Sequence, residues 1–314
     1  MTTHAPPCCL LCSRSSAAVQ SSLTGAQIRK LWSALGSDIS EAAFGPVLPE
    51  TAVECYLCRS CGFRFYRPDF AGSALFYEDL MSSKDYPVGG LDFDDVIDFA
   101  GRHGIERVLD VGGGEGAFLD LARKAGMKTS GIEVNRHASE AAARKGHRMF
   151  TRLMEEISMD EVDGGTDLLT LFQVVEHVPD PVGFVVSASR LVKPGGFIAI
   201  AVPSDKRMLG LLENDPADWP PHHISRWRAQ DLRSLAEKAG LEVVEERANR
   251  LFGTDIPWAF ELHDRLEGCL GRKQLRIPKP LVFAASVAYR ALQLQAVMPF
   301  HGPSIQIVLR KSAA

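Results

Sequence analysis

Residues 108–118, VLDVGGGEGAF, constrain this chain more than any other stretch. Val108, Leu109 and Val111 form a short apolar run around one acid, Asp110. Three alternate glycines follow, Gly112, Gly114 and Gly116, and then AFLDLARKAG. In that segment Phe118, Leu119 and Ala122 set one apolar helix face, which Gly126 ends. The order predicts a strand, a tight turn and a helix. Glycine is needed where the backbone takes positive φ or approaches a ligand closely. A helix starting there points free N–H groups and a positive dipole end at whatever occupies the turn.

The rest of the chain alternates in the same way. A helix is predicted over DFDDVIDFAGRHG, with Asp92 as its N-cap, before a first strand over 105–111. SGIEV is the second strand, ASEAAARKG the second helix and HRMFT the third strand. DLLTLFQVV is nearly continuous in apolar character, as a strand covered on both faces would be. A helix from Asp180 is closed by Lys193-Pro194-Gly195-Gly196, and FIAIAVPS is the fifth strand. The loop DWPPHHISRW precedes the helix AQDLRSLAEKAG and the strand LEVVEER, and SIQIVLRK is a final strand. Strand and helix in alternation imply an α/β, doubly wound, mostly parallel sheet. Residues 249–303 read as a helical insertion before the last strand, covering the site or forming a homodimer face. PLVFAASVAYRALQLQAVM lies within it; its polar face is not rich in Lys or Arg, against a membrane-surface role.

Glu133 closes the second strand about twenty residues after the first glycine turn, where a carboxylate can accept two ribose hydroxyls. Gly112, Gly114 and Ala117 fit the G-x-G-x-x-G/A pattern of NAD-binding folds. A site for S-adenosylmethionine wants the same acid. Asp110, two residues before the first glycine, and the downstream chain separate the two readings.

Seven cysteines, six of them within the first 61 residues, organise the N-terminal part. Cys9-x-x-Cys12 and Cys58-x-x-Cys61, the second followed by Gly62, read as two knuckles able to close a tetrahedral Zn²⁺ site. Cys55-x-x-Cys58 competes for the second knuckle and Cys8 neighbours Cys9, so the register stays open. The gap between knuckles is longer than is common in zinc ribbons. Residues 27–35 form a plausible short helix and AVECYLC a strand. FRFYRPDF alternates and stops at Pro68, as an edge strand would, and 73–86 is expected as a connector bearing Tyr77 and Tyr86.

Composition bounds the function. At 314 residues the chain suits two domains or one elaborated domain, and 46% hydrophobic with 24% charged residues is ordinary for a protein with a real core. A net charge of −4 leaves no electrostatic footprint for nucleic acid. Neither a secretory leader nor a spanning apolar segment is visible, and cysteines without a leader suggest a reducing, cytoplasmic setting.

Several motifs now agree. VLDVGGGEG, GIEVN, LLTLFQVVEHVPDP, LVKPGGFIAIAVPS, and PPHHISRW with LRSLAEKAGLEVVE together resemble class I S-adenosylmethionine-dependent methyltransferases, a group with many small-molecule and sugar enzymes. The resemblance covers about residues 90–247. The knuckles with CGFRFYRP are similar to the zinc-binding domain fused to some of these enzymes, among them sugar C-methyltransferases. Those carry a further large domain that this chain is too short to hold, which speaks against a sugar acceptor. The implied fold is a seven-stranded Rossmann-like sheet with a small N-terminal zinc-binding domain. The expected division is 1–88 zinc-ribbon-like domain and connector, 89–248 cofactor-binding core, 249–303 insertion, and 304–314 last strand and tail.

The resemblance also implies roles. Gly112, Gly114 and Gly116 pass under the methionine part of the cofactor, with Asp110 in the same motif. Glu133, with Val134 beside it, holds the ribose; Leu153 and Met154 flank adenine; Gln173 lies beside the sulfonium. Glu176 and His177 support the loop after the fourth strand. His223 matches the family's recurring histidine, as a base or as a loop-fixing residue, and His222 is the adjacent alternative. The acceptor is a small molecule taking a methyl on O, C or N. An RNA methyltransferase, a non-catalytic scaffold that binds S-adenosylmethionine and uses the zinc module for partner contacts, and an NAD-dependent oxidoreductase are the competing readings.

Overall fold

The computed structural model describes residues 6–82, 93–205, 215–248, 266–271 and 304–313. The chain divides into two compact units. Among the described residues, one comprises 6–82, 203–205, 215–228, 248, 266–271 and 304; the other comprises 93–202, 229–247 and 305–313. Residues 203–205 and 215–228 therefore cluster with the N-terminal segment, although a linear division places them in the core.

The first unit is built on a four-stranded sheet in the order β1-β2-β3-β9. Its strands are β1 (Ala17–Thr24), β2 (Ala52–Cys58), β3 (Arg64–Phe65) and β9 (Ser225–Arg226). Helix α1 (Gly25–Ala34) starts on a capping box. Thr24 Oγ1 accepts from Gln27 N at 3.2 Å, and Gln27 Oε1 accepts from Thr24 N at 2.8 Å, so two orphan donors are satisfied reciprocally. β3 is not the edge strand its Pro68 stop suggests: it pairs with β2 on one side and with β9 on the other. The second partner arrives from the loop before Trp227, a long-range pairing that local alternation does not encode. Helix α2 (Ala74–Ser82) occupies most of the segment expected as a connector, burying Phe76 and Leu80. Trp32, Phe44, Phe76, Trp219 and Ile224 share one core with them.

The second unit is a seven-stranded sheet in the order β10-β11-β8-β7-β4-β5-β6. The strands are β4 (Arg107–Val111), β5 (Lys128–Ile132), β6 (Arg148–Phe150), β7 (Thr166–Phe172), β8 (Val192–Pro203), β10 (Glu242–Ala248) and β11 (Ser304–Arg310). The pairs β4–β5, β5–β6, β4–β7 and β7–β8 are parallel. Gly195 and Gly196, at the start of β8, bond Lys311, just past the end of β11, so β11 runs against β8. Helices α3 (Phe93–Arg102), α4 (Ala117–Lys124), α5 (Arg136–Arg144), α6 (Pro181–Arg190) and α7 (Ala229–Lys238) alternate with the strands. This is the expected doubly wound, mostly parallel architecture.

Local chemistry explains the boundaries. Asp180 caps α6, accepting from Gly183 N at 2.9 Å, and Pro181 fills the first helical position. β7 is buried along most of its length because helices cover both faces. The Lys193–Gly196 segment, expected to close the helix from Asp180, instead lies within β8, with a register irregularity against β7 between Thr166 and Leu168. Phe99, Phe118, Leu119, Val108, Leu168 and Ala199 form the core between helix and sheet. Truncating Phe118 to Ala there would cost about 3–5 kcal/mol. Asp92, Tyr86 and nearly all of the 249–303 insertion lie outside the described residues.

Strand order reverses between β4 and β7. In open α/β sheets that switch point, at the carboxyl ends of the strands, is where ligands bind.

Candidate functional site

The glycine turn follows β4 directly. Gly112 N donates to Ile132 O at 2.8 Å, tying the turn to the end of β5. Gly112 has φ 74°, and a Cβ there would stand 2.7 Å from Val174 Cγ2, so the loops after β4 and β7 leave no room for a side chain. Gly116, at φ 82°, precedes α4; its Cβ would meet Ala142 Cβ and His147 Cδ2 at 3.1 Å each. The third glycine thus serves helix packing, and the first serves the turn.

Glu133 brackets this turn from β5. Its Oε2 accepts from Gly114 N at 2.9 Å, and its Oε1 accepts from Asn135 N at 2.7 Å. Asn135 itself caps α5, accepting from Ala138 N at 3.0 Å. A carboxylate offers about four lone-pair sites. Two are held by backbone, which aims the group and leaves the others for a diol.

Asp110 is buried in β4 and accepts from Thr170 Oγ1 of β7 at 2.7 Å. Burial pushes its carboxyl up to about 7; the Thr170 bond opposes this, and the nearby Glu133 charge adds to it. Gln173, just past β7, has φ 56°, one of three positive-φ non-glycine residues among those described. Its N–H donates to Ala201 O at 2.8 Å, while its side chain is exposed. Such backbone is uncommon for a residue with a Cβ and concentrates at ligand sites.

Val134 and Leu153 are exposed, at 58% and 57%, whereas Met154 is buried at 3%. Of the two residues expected to flank adenine, Leu153 offers apolar surface and Met154 packs inward. Glu176 and His177 lie in a short 3₁₀ turn, with His177 Nε2 3.8 Å from Glu176 Oε1.

In the other unit the four knuckle thiols converge. Sγ of Cys9, Cys12, Cys58 and Cys61 all lie within 4.8 Å of one another. Cys9–Cys61 is 3.7 Å and Cys12–Cys58 is 3.5 Å. A tetrahedron with Zn–S near 2.3 Å has S···S edges of about 3.8 Å, so the donor set fits Zn²⁺. Burial pushes the Cys58 thiol up, but donors from Ser16 and from the Cys61 and Ser60 backbone outweigh it and bring it to about 6. Cys61 is pushed up to about 11, chiefly by burial. Cys8 is exposed and contacts Ser15, and Cys55 is buried beside Tyr66, so neither joins the cluster.

His222 and His223 belong to this same unit and stack at 4.2 Å. His222 Nδ1 lies 3.0 Å from Ala217 O, so it carries the proton, and the ring packs edge-on against Trp32. His223 Nδ1 instead faces Asp218 Oδ1 at 3.5 Å, with both side chains buried. Tyr77 donates to His222 O at 3.2 Å.

The family model described as "Methyltransferase domain" matches residues 84–246, just over half of the chain. The chain belongs to the methyltransferase-domain family. It is 29% identical over 159 residues to a ubiquinone biosynthesis O-methyltransferase of Alkalilimnicola ehrlichii, covering 43% of this chain and 63% of that protein. It is 34% identical over 161 residues to the enzyme of the same name from Paracidovorax citrulli, covering 45% and 65%. The chain thus spans somewhat less than two thirds of these relatives. A candidate methyltransferase structure from Bacillus halodurans has a TM-score of 0.50 at 19% identity, covering 71% of this chain and all of that one, a likeness of fold. The methyltransferase match covers the glycine turn, Glu133 and Gln173; it begins after both knuckle pairs and ends short of β11.

Sequence reasoning did not single out Thr170, Asn135 or Asp218. A lone hydroxyl inside LLTLF and an Asn directly after SGIEV signal the first two. Asp218 opens DWPPHH, where nothing local announces which way its carboxylate points.

Proposed function

We propose that this chain transfers a methyl group from S-adenosylmethionine to a small-molecule acceptor. The observation that supports this most is the bracket of Glu133 on Gly114 N and Asn135 N, at the switch point of a methyltransferase-domain sheet. Glu133 would accept the ribose hydroxyls, Leu153 and Val134 would cover the adenine, and the Gly112–Gly114–Gly116 turn would admit the methionine part. Gln173 and Asp110 would line the same end of the sheet. S-adenosylmethionine, when bound, supplies a methyl already activated on a sulfonium, so the protein chiefly aligns the acceptor. His223 would take the acceptor's proton at Nε2, because its Nδ1 side is occupied by Asp218. His222 would fix the loop through Ala217 O. Hydroxyl acceptors rank first, since the relatives are named O-methyltransferases.

Cys9, Cys12, Cys58 and Cys61 would hold one structural Zn²⁺, with no open position and so no catalytic part. The reading is tested by incubating the purified protein with S-adenosylmethionine and a panel of small phenolic and aliphatic alcohols. S-adenosylhomocysteine above the no-acceptor rate supports it; none with any hydroxyl, carbon or nitrogen acceptor refutes it.

A further inference from the structure

We infer that Asp218 is a positioning residue that fixes the tautomer and direction of the His223 imidazole; this rests on the reading of His223 as the base. The two side chains are buried, at 5% and 6% exposure, with Asp218 Oδ1 3.5 Å from His223 Nδ1. A buried carboxylate facing a ring nitrogen selects the proton on that nitrogen. The lone pair is then on Nε2, the atom that acts as base in that reading. Contacts of this kind are commonly long before substrate binds and shorten afterwards.

The loop is built to hold this geometry. Asp218 ends a 3₁₀ turn whose Asp215 cap accepts from Ala217 N at 3.0 Å. Asp218 N donates to Asp215 O at 3.0 Å, and His222 N donates to Trp219 O at 3.1 Å. The Ala217 carbonyl holds His222 Nδ1, so the two stacked histidines face opposite kinds of acceptor, a backbone oxygen and a carboxylate. That difference separates a histidine held by backbone from one that faces a carboxylate.

A buried cation compensates the Asp218 charge. Arg226 is 4% exposed and donates from Nη2 to the Tyr66 hydroxyl at 2.7 Å. Its guanidinium lies 5.5 Å over the Trp219 ring and 5.7 Å over the Tyr66 ring. Asp218 and Asp205 both interact with it electrostatically, favouring its charged form. Buried charged side chains are accommodated when an opposite charge lies beside them. Among the described residues of this unit, Asp218 and the stacked His222 face His223, and Arg226 and Tyr66 interact with Asp218.

The test is nitrogen NMR of the zinc-loaded full chain labelled in histidine, recorded above pH 8. His223 is expected as the neutral ring protonated on Nδ1. Asp218→Ala, with Asp218→Asn as the variant that preserves side-chain volume, is expected to shift it toward the Nε2-protonated form common in free histidine. The His222 signals and zinc content are expected to stay unchanged, as controls for folding. An Nε2-protonated or doubly protonated His223 in the wild type overturns the proposal, as does an unchanged tautomer in both variants. Failure of the base reading looks different: His223→Ala would then leave methyl transfer intact, while the wild type would still show the Asp218-dependent tautomer of His223.

Discussion

Gly114 N donates to Glu133 Oε2 at 2.9 Å, so the glycine turn and the acid that follows the next strand are one unit before any ligand arrives. The bond fixes the carboxylate toward the turn. It also gives the turn a partner for an N–H that would otherwise be directed at solvent or a ligand. In the proposed complex Glu133 would need little rearrangement.

Asp110 should set a pH dependence of stability in the ligand-free protein. Its folded-state pKa, about 7, is above the value of about 3.9 in an unfolded chain. A raised pKa means the folded state binds the proton more tightly. Its stabilising contribution is full below the unfolded value and is lost as pH rises through about 7. The total is on the order of 4 kcal/mol. Asp110→Asn should flatten the stability profile between pH 4 and 7, measured by denaturant unfolding (the window follows from the two values above). Equal slopes in wild type and variant would show that Asp110 does not titrate in that range.

Zinc should be present at one ion per chain, and Cys58→Ser or Cys9→Ser should abolish it. Cys8→Ser and Cys55→Ser should leave it bound, since neither thiol reaches the cluster. Chelation should expose the core around Trp32 and Trp219, read by tryptophan fluorescence, while the seven-stranded unit stays folded. Elemental analysis finding no zinc in protein purified without chelator would refute the assignment.

His223→Ala should lower the single-turnover rate by roughly 10²-fold or more with S-adenosylmethionine affinity nearly unchanged. His222→Ala should instead lower thermal stability, because it removes the Ala217 contact and a ring packed against Trp32. A larger rate loss in His222→Ala at equal stability would reverse the two roles.

The core was legible because its signals are local. Glycines at 112, 114 and 116, an apolar run on each strand and caps such as Asp180 each act within a few residues. The cysteine register was open because spacing alone accepts Cys55 and Cys58 equally. The strand decides it: residues three apart on β2 face opposite sides, so Cys55 turns to the Tyr66 side and Cys58 to the knuckle. Leu153 is exposed and its neighbour Met154 is buried, a difference that single-residue matching does not register. Pairing of β3 with β9 joins positions far apart in the chain, and alternation within β3 carries no trace of it. The Asp218–His223 contact spans few residues, yet it depends on the direction of a proline-rich loop that composition does not specify.

The most direct test of the central claim is calorimetric titration of the purified protein with S-adenosylmethionine and with NAD, in wild type and Glu133→Ala. S-adenosylmethionine should bind the wild type, and Glu133→Ala should weaken it by about 2–3 kcal/mol through loss of charge-assisted hydrogen bonds to the ribose. NAD should bind neither protein measurably. Tighter binding of NAD than of S-adenosylmethionine, or equal S-adenosylmethionine affinity in both proteins, would contradict the account.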